Sequence, residues 1–327
     1  MKNQYHIAWW NVENLFDVSD SNQRPAWLQS KLNSELKGWN QEVLQQKINN
    51  LVSIIKKMNN NTGPDILGLC EVENRIVLEK LKLALRPLGK NYDIVHHDMS
   101  DQRGIDVAFI YDRDKFTSQG SFSHTILKRT ATRDLFQVNF LTPKGNDLLL
   151  VGNHWPARSA GILRSEPYRI IAGETLSYWM ERIIEEKGKD TAVLVMGDFN
   201  DEPFNRSLTE YALGSNSHKK VVYARSPRLY NLMWPFYGHG RGTYYWDNFP
   251  LVLDQFLVSK ELIKSAGKIK VARGTTPEYV VKIEMYPEMV NTGRYPSPIS
   301  FGRPSKKSSH NPAGFSDHYP VSVVIEE

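Results

Sequence analysis

Apolar residues recur along the chain with two different periods, and this pattern predicts strands that are interleaved with helices. Short apolar runs, typical of buried strands, predict strands at 5–10, 65–70, 92–96, 105–111, 136–141, 148–152, 192–196, 252–258 and 321–325. Helical spacing of apolar residues predicts helices over 40–58, 75–86 and 168–186. In the last of these we expect one buried face made of Ile171, Leu176, Trp179 and Ile183. Helices distributed among strands favour sheets covered by helices over an all-β sandwich.

The chain shows no internal repeat, no low-complexity segment and no linker before residue 260, so we predict one domain over residues 1–327. Its charge is unevenly distributed. Residues 260–312 carry ten Lys and Arg against four Glu, a net charge of +6, whereas the whole chain has a net charge of +5. Residues 285–314 also contain five prolines. We therefore predict a long, basic, Pro-rich loop at about 285–314, and loops of this length are usually functional or disordered.

The composition excludes several classes of protein. Hydrophobic residues make up 40% of the 327 residues and charged residues 24%, which is too apolar for a disordered chain. No apolar run approaches the ~18 residues of a membrane-spanning helix. The single cysteine, Cys70, excludes a disulfide framework and a cysteine-rich zinc site. The N-terminus lacks the features of a secretory signal, so we expect a cytoplasmic protein, or a secreted one if a signal peptide has been removed.

Polar side chains of the types used in catalysis stand where apolar strands are predicted to end or begin. The set is Asn11, Glu71, His154, Asp198, Asn200, Asp254, Asp317 and His318. Taken singly, each has an ordinary structural explanation, such as a turn or a helix cap. In layered α/β folds, however, strand ends converge on the ligand. Because the set comes from separate strand ends, we predict that it forms one hydrolytic centre.

This ordered set resembles the endonuclease/exonuclease/phosphatase superfamily, and in particular its poorly characterised bacterial members. The matching segments are N-V-E-N at 11–14, L-C-E-V-E at 69–73, G-N-H-W at 152–155, M-G-D-F-N at 196–200, L-D-Q at 253–255 and S-D-H at 316–318. The resemblance implies an α/β fold similar to that of deoxyribonuclease I: a four-layer α/β/β/α sandwich with two central, mainly antiparallel sheets flanked by helices. It also implies cleavage of phosphate esters that depends on Mg²⁺, for which Mn²⁺ can substitute.

The resemblance implies metal-binding and water-activating roles for five of these residues. Glu71 corresponds to the principal Mg²⁺ ligand, and Asp317 to a further carboxylate of the metal site. Asn11 is expected close to that ligand, where it would donate to a phosphate oxygen of the substrate. Asp198 corresponds to the group that orients or deprotonates the attacking water, with the help of Asn200.

The two imidazoles correspond to residues that contact the phosphate. His318 resembles the imidazole at the scissile phosphate, and Asp254 the carboxylate that orients it. An Asp behind a His fixes its tautomer and favours the imidazolium. His154 resembles a second phosphate-contacting imidazole. On its own chemistry, Arg158 is a further candidate for a phosphate contact.

Oxygen donors dominate the candidate metal ligands, which favours magnesium over zinc. Glu73 stands where deoxyribonuclease-type members often carry a basic residue, and a carboxylate there speaks against simple duplex-DNA binding at that position. The segment that contains Arg103 and Asp106 leads into a predicted strand. They are expected either near the site or in a strand-end salt bridge.

Three functions remain open from the sequence. The first is a metal-dependent nuclease or related phosphodiesterase, in which the basic segment would neutralise a polyanion. The second is a phosphatase or phospholipase C-like enzyme acting on inositol phosphates or sphingomyelin-type lipids. The third is a non-catalytic binding protein on the same fold, against which the intact set of catalytic residue types argues. Aromatic residues that could stack on bases or lie at a membrane interface cluster at Tyr230, Trp234, Phe236, Tyr237, Tyr244, Tyr245, Trp246 and Phe249. Because the sequence shows no amphipathic anchor helix and no lipidation motif, we favour nucleic acid.

Overall fold

Two seven-stranded sheets form the centre of the computed structural model, which describes residues 3–274, 278–305 and 309–327. The strands are β1 (Gln4–Leu15), β2 (Ile66–Val72), β3 (Tyr92–His96), β4 (Asp106–Asp112), β5 (Thr117–His124), β6 (Leu135–Leu141), β7 (Asp147–His154), β8 (Ala192–Asp198), β9 (Gly214–Ser215), β10 (Leu229–Asn231), β11 (Tyr244–Trp246), β12 (Phe249–Leu251), β13 (Asp254–Val258), β14 (Lys270–Val271), β15 (Val281–Ile283) and β16 (Val321–Glu326). The helices are α1 (Ala26–Leu32), α2 (Gln41–Ile55), α3 (Met58–Asn61), α4 (Arg75–Ala84), α5 (Ile162–Lys187) and α6 (His218–Val222).

Most neighbouring strands in both sheets are antiparallel. The first sheet has the order β14-β16-β1-β2-β4-β3, and β15 also pairs with β16. The second has the order β5-β6-β7-β8-β13-β10-β9, whereas β11 and β12 form a separate hairpin. The parallel pairs are β1–β2, β7–β8 and β9–β10. The predicted pair of mainly antiparallel sheets is confirmed.

Side chains that alternate along each strand divide the molecule into layers. On β1, Ile7 and Trp9 pack between the two sheets, whereas Ala8 and Trp10 pack against α2 and α4 on the outer face. On the opposite side of the molecule, the buried face of α5 covers the second sheet. The order of layers is therefore helices, sheet, sheet, helix, as the resemblance implied.

The structure corrects two predictions made from periodicity. The long helix begins at Ile162, well before residue 168, and Ile171 and Trp179 of its expected face are only partly buried. The buried stripe includes Ala172 and Met180 instead. Strand β5 was not predicted, because it lies at the edge of its sheet and most of its side chains are exposed, so that it lacks an apolar run.

The Pro-rich segment 285–314 is held against strand β1 and helix α2 by hydrogen bonds. Glu13 accepts hydrogen bonds from the Ser300 hydroxyl and from the backbone N–H of Phe301 at 2.9 Å. From helix α2, Asn50 donates to the carbonyl oxygens of Pro312 and Gly314. Residues 306–308, which include both lysines of the segment, Lys306 and Lys307, lie outside the described residues.

Within the described ranges, no helix combines the length and the apolar character that a crossing of the bilayer requires.

Candidate active site

The register of the second sheet brings three predicted residues together. Strands β7 and β8 are parallel, with His154 opposite Asp198. Strand β13 is antiparallel to β8, with Asp254 opposite Asp198 on the other side. Asp198 therefore lies between a histidine and a second carboxylate at one edge of the sheet.

The first sheet contributes the facing wall of the same pocket. Because β1 and β2 are parallel, Asn11 on β1 and Glu71 on β2 come to the same edge. The pocket between the two sheet edges has a volume of about 610 Å³. Of the nine predicted site residues, it is lined by Asn11, Glu71, His154, Arg158, Asp198, Asn200, Asp317 and His318, while Asp254 lies behind His318.

Asp198 is held rigidly at the centre of this pocket. Its carboxylate is buried, and it accepts hydrogen bonds from Asn11 Nδ2 at 3.1 Å and from the backbone N–H of Asn200 at 2.9 Å. Burial raises the pKa of Asp198; the nearby His318 opposes this, Asp254 reinforces it, and the result lies above the ordinary value. A carboxylate with a raised pKa is a better general base near neutral pH than an ordinary one.

His318 is paired with the buried carboxylate behind it. Its Nδ1 lies 2.7 Å from Asp254 Oδ2, and its Nε2 lies 3.9 Å from Asp198 Oδ2. Burial alone would lower the pKa of this imidazole, but Asp254 and Asp198 outweigh burial and hold the pKa well above its usual value. The raised pKa favours the imidazolium form of His318, which faces the pocket.

His154 has the opposite electrostatic environment. Its Nε2 lies 3.7 Å from Glu71 Oε1 and 3.8 Å from Asp198 Oδ2. Burial, together with the Arg133 guanidinium, lowers the pKa of His154 well below its usual value. The two imidazoles thus differ in charge, one neutral and one cationic, as acid and base partners in one site often do.

Sequence reasoning missed Arg133. The side chain is buried, donates to the Trp155 carbonyl at 3.0 Å and pairs with Asp101 at 3.1 Å. Arg133 stands just before β6, which is antiparallel to β7, so the start of β6 lies beside the end of β7 that carries His154. A search of strand starts as well as strand ends would have found it.

Two of the site residues adopt a left-handed backbone conformation, which is rare for residues other than glycine. Glu71 has φ 64° and Asn200 has φ 50°. At Glu71 the register between β2 and β4 is irregular, which turns its carboxylate out of the strand. Such strain costs of order 1–3 kcal/mol per residue and is typical of active sites.

Glu71 and Asp317 offer carboxylate oxygens that could hold a cation. Glu71 Oε2 accepts from the Asn14 N–H at 3.0 Å, whereas its Oε1 faces Arg103 Nη2 at 3.5 Å. Asp317, whose side chain is 41% exposed, opens onto the pocket. Loss of hydration, together with Glu13 and Glu71, raises the pKa of Asp317. Carboxylates crowded in this way fit a divalent cation, and an all-oxygen donor set is what Mg²⁺ prefers.

A second arrangement of possible metal ligands overlaps the first. Atoms of Asp198, Asp254 and His318 lie within 4.8 Å of one another. His318 Nδ1 is engaged with Asp254, and the raised pKa of the ring favours the protonated form, which has no lone pair for a metal. This trio therefore fits the movement of protons better than the binding of a metal.

Arg158 lines the pocket, but its Nε and Nη2 donate hydrogen bonds to groups inside the protein. Its Nε donates to the Asn200 carbonyl at 2.6 Å, and its Nη2 to Asp201 at 3.0 Å and Asn205 at 3.2 Å. The side chain therefore holds the loop that carries Asn200.

The remaining charged residues near the motifs separate into two groups. Arg103 reaches the site through Glu71, whereas Asp106 bonds to His96 at 3.0 Å. Glu73 forms a buried ion pair with Arg24 at 2.5 Å, so its carboxylate is part of the structure rather than of the pocket surface.

One wall of the pocket is made by the hairpin of β11 and β12. Tyr244, Trp246, Phe249 and Leu251 line the pocket, and the Tyr244 ring lies 4.8 Å from the His318 ring. Of the aromatic cluster noted in the sequence, only the three aromatic residues of this hairpin face are among the described residues that line the pocket. No residue in the described part of segment 285–314 lines it.

Comparison with known proteins shows the family and the fold. The model of the endonuclease/exonuclease/phosphatase family matches residues 6–327. An endonuclease/exonuclease/phosphatase family protein from Bacteroides thetaiotaomicron is 17% identical, over 100% of this chain and 98% of that chain, with a TM-score of 0.56. A mannosyl-6-phosphatase from the same organism is 18% identical, over 98% of this chain and 99% of that chain, with a TM-score of 0.55.

A third similar structure is ANGEL2, a 2',3'-cyclic phosphatase, which is 13% identical over 99% of this chain and 95% of that chain, with a TM-score of 0.60. At these identities the structures show a shared fold. No curated protein matches the sequence.

Proposed function

The chain belongs to the endonuclease/exonuclease/phosphatase family, and from this membership we propose that it is a Mg²⁺-dependent phosphoesterase that hydrolyses phosphodiester bonds of nucleic acid. The observation that carries the proposal is the pocket itself. It combines a centrally held Asp198, a cationic His318, a neutral His154 and two carboxylates that suit a metal.

In this proposal Asp198 orients a water molecule and takes its proton. Asn11 and the backbone of Asn200 keep the carboxylate in one orientation, so little reorganisation is needed when the water attacks. His318, held by Asp254, stabilises the negative charge that grows on the phosphate oxygens. His154 stays neutral and provides a hydrogen-bonding group to the phosphate without attracting it as a charge.

Glu71 and Asp317 would hold the Mg²⁺ ion, which when bound neutralises charge on the phosphate oxygens. Asn11 lies beside them and adds a neutral donor. Loss of hydration, together with Glu13 and Glu71, raises the pKa of Asp317, and a divalent cation would offset the repulsion between these carboxylates, which supports the assignment of Glu71 and Asp317.

The choice of nucleic acid rests on the aromatic wall of the pocket, because bases stack on exposed aromatic rings. Related structures are a mannosyl-6-phosphatase and a 2',3'-cyclic phosphatase, so the fold serves different phosphate esters. Inositol phosphates and sphingomyelin-type lipids are the alternative substrates.

The metal assignment is tested with Glu71→Gln, which keeps the shape and removes the charge. We expect EDTA to abolish hydrolysis of bis-p-nitrophenyl phosphate and Mg²⁺ or Mn²⁺ to restore it. The variant should need at least about tenfold more Mg²⁺ for half-maximal activity. Glu185→Gln, at a side chain that is 62% exposed on α5, is the matched control and should behave as wild type. Full activity in EDTA would refute metal dependence.

The substrate assignment is tested with a panel of single-stranded DNA, duplex DNA, RNA, inositol phosphates and sphingomyelin under the same Mg²⁺ conditions. We expect the highest kcat/KM on a nucleic acid. A clear preference for an inositol phosphate or for sphingomyelin would leave the chemistry standing and overturn the nucleic-acid assignment.

A further inference from the structure

The β11–β12 hairpin presents one face to the catalytic pocket. Its two-residue turn, Asp247 and Asn248, has φ 47° and 68°, as in the tight turns that connect adjacent antiparallel strands. Cross-strand partners lie on the same face of a hairpin. The pairs Tyr244–Leu251 and Trp246–Phe249 are such partners, and all four residues line the pocket.

The opposite face of the hairpin is packed into the protein. Tyr245, which alternates with the lining residues, lies against Tyr319 with a ring distance of 6.4 Å. The hairpin is therefore fixed on one side, and its other side is left as a rigid wall of the pocket.

This wall is apolar and largely uncovered. Trp246 is 68% exposed and Phe249 is 70% exposed. Ile162, at the start of α5, also lines the pocket and is 56% exposed. Large apolar side chains exposed around a polar catalytic centre mark a ligand-binding surface. The wall adjoins the catalytic residues, because the Tyr244 ring lies tilted beside the His318 ring and the two residues form an isolated β-bridge.

Positive charge that could meet phosphates is limited around the pocket, which restricts how much of a polyanion it can hold. Among the described residues that line it, the arginines are Arg103 and Arg158, and each is paired with a carboxylate of the protein. The volume of about 610 Å³ falls within the range of small-molecule sites. These features suit one planar group beside one phosphate rather than the track of phosphates along a duplex.

We propose that the Trp246–Phe249 face of the hairpin is a stacking subsite for a single unpaired nucleobase next to the scissile phosphodiester. This proposal rests on the proposed function and narrows its substrate to unpaired nucleotides. An anionic lipid surface is less compatible with the hairpin, because residues 244–251 contain no Lys or Arg and the tip carries Asp247.

Base stacking on an aromatic side chain changes affinity by about 5- to 140-fold. Wild type should therefore cleave a thymidine dinucleotide with kcat/KM higher by a factor in this range than the analogue in which one base is replaced by an abasic tetrahydrofuran residue. Trp246→Ala should lower cleavage of the intact dinucleotide toward the abasic rate, and it should lower cleavage of the abasic analogue by a smaller factor. Phe249→Ala should act in the same direction.

Tyr223→Ala is the matched control, because Tyr223 is 81% exposed and lies outside the pocket lining. It should leave both rates unchanged. Salt dependence gives an independent readout. Because the dinucleotide has one phosphodiester, the slope of log kcat/KM against log salt should be no steeper than about −0.7.

The outcomes separate this inference from the proposed function. If wild type cleaves intact and abasic dinucleotides at equal rates, the stacking subsite is refuted while the phosphodiesterase stands. If no phosphodiester is cleaved with Mg²⁺, the proposed function fails. If Trp246→Ala instead abolishes binding to phosphatidylcholine–sphingomyelin vesicles and spares the dinucleotide, the wall serves a lipid and the proposal is overturned.

Discussion

Asp198→Asn isolates the chemical step. The substitution keeps the size of the side chain and removes its ability to accept a proton. General-base catalysis contributes roughly 10²–10⁴-fold, or about 2.7–5.4 kcal/mol of activation free energy. We expect kcat to fall within that range, while KM changes little because the group acts mainly in the transition state.

The structure also sets a cost in stability. Asp198 accepts from two donors, Asn11 Nδ2 and the Asn200 N–H, one on each carboxylate oxygen. An asparagine has only one acceptor oxygen, so its amide N–H₂ must face one of these donors. The loss of one buried hydrogen bond costs about 1–3 kcal/mol. A lowered melting temperature is therefore expected together with the loss of rate, and kcat has to be measured well below the transition.

The assay is Mg²⁺-dependent hydrolysis of bis-p-nitrophenyl phosphate, with folding followed by thermal melting. Asp190→Asn, at a carboxylate that is 72% exposed, is the matched control. His318→Ala should lower kcat by roughly 10²–10³-fold. Combined with Asp198→Asn, it should lose less than the product of the two effects, because both groups act on one transition state. If Asp198→Asn stays within about threefold of wild type, the assignment of the general base is wrong.

Two further predictions concern stability away from the reacting groups. Burial would raise the pKa of Asp65, but hydrogen bonds from Lys115 and Lys90 outweigh burial and hold the pKa below its usual value. Asp65→Asn should therefore lower the free energy of unfolding by about 1.5–3 kcal/mol at pH 7. A lowered pKa in the folded state stabilises only above the unfolded pKa near 3.9, so the difference between variant and wild type should shrink as the pH falls below that value. An equal difference in urea unfolding at pH 7 and at pH 3 would contradict this prediction. Gly314→Ala would place a Cβ 2.0 Å from the Ser300 carbonyl oxygen, so it should lower the free energy of unfolding by about 1–3 kcal/mol. The control is Gly293→Ala, whose Cβ meets nothing within 4 Å and which should not lower it. Equal melting temperatures of the two variants would show that the contact between residues 300 and 314 is not tight.

The layered fold was predictable because its central strands are buried on both faces. The apolar runs of β2, β7 and β8 are continuous, so their positions could be read from the sequence. Edge strand β5 lacked this signal because solvent covers its side chains. The face of α5 was misjudged because Arg169, a fully buried residue, occupies a position in the stripe through an ion pair with Asp201 at 2.8 Å. A periodicity search that counts apolar residues does not detect such a position.

The sequence predicts a site residue where that residue follows a buried strand. It does not predict a role that depends on a contact with a residue distant in the chain. Asp198 and Glu71 carry that local signal. Arg158 does not show its role in the sequence, since whether a guanidinium faces a substrate or an internal carboxylate depends on Asp201, which is distant in the chain. The pKa values of His154 and His318 are shifted in opposite directions, and these shifts likewise depend in part on Arg133 and Asp254, which are distant from them in the chain.

The basic, Pro-rich segment 285–314 shows that a positively charged stretch of sequence need not place its charges at the candidate site. Its described part is tied to Glu13, which has φ 50° and lies two residues after Asn11 on the strand end that forms the pocket. Lys47 on α2 is fully buried, donates to the Phe315 carbonyl and lies 4.0 Å from Glu13, so the chain leading into Asp317 is fixed from the same helix. These contacts support the ends that carry Asn11 and Asp317, and they bring no described lysine or arginine of residues 285–314 into the pocket lining. Recognition of a nucleotide would therefore depend on the aromatic hairpin, and substrate selectivity should change with Trp246 rather than with the net charge of the segment.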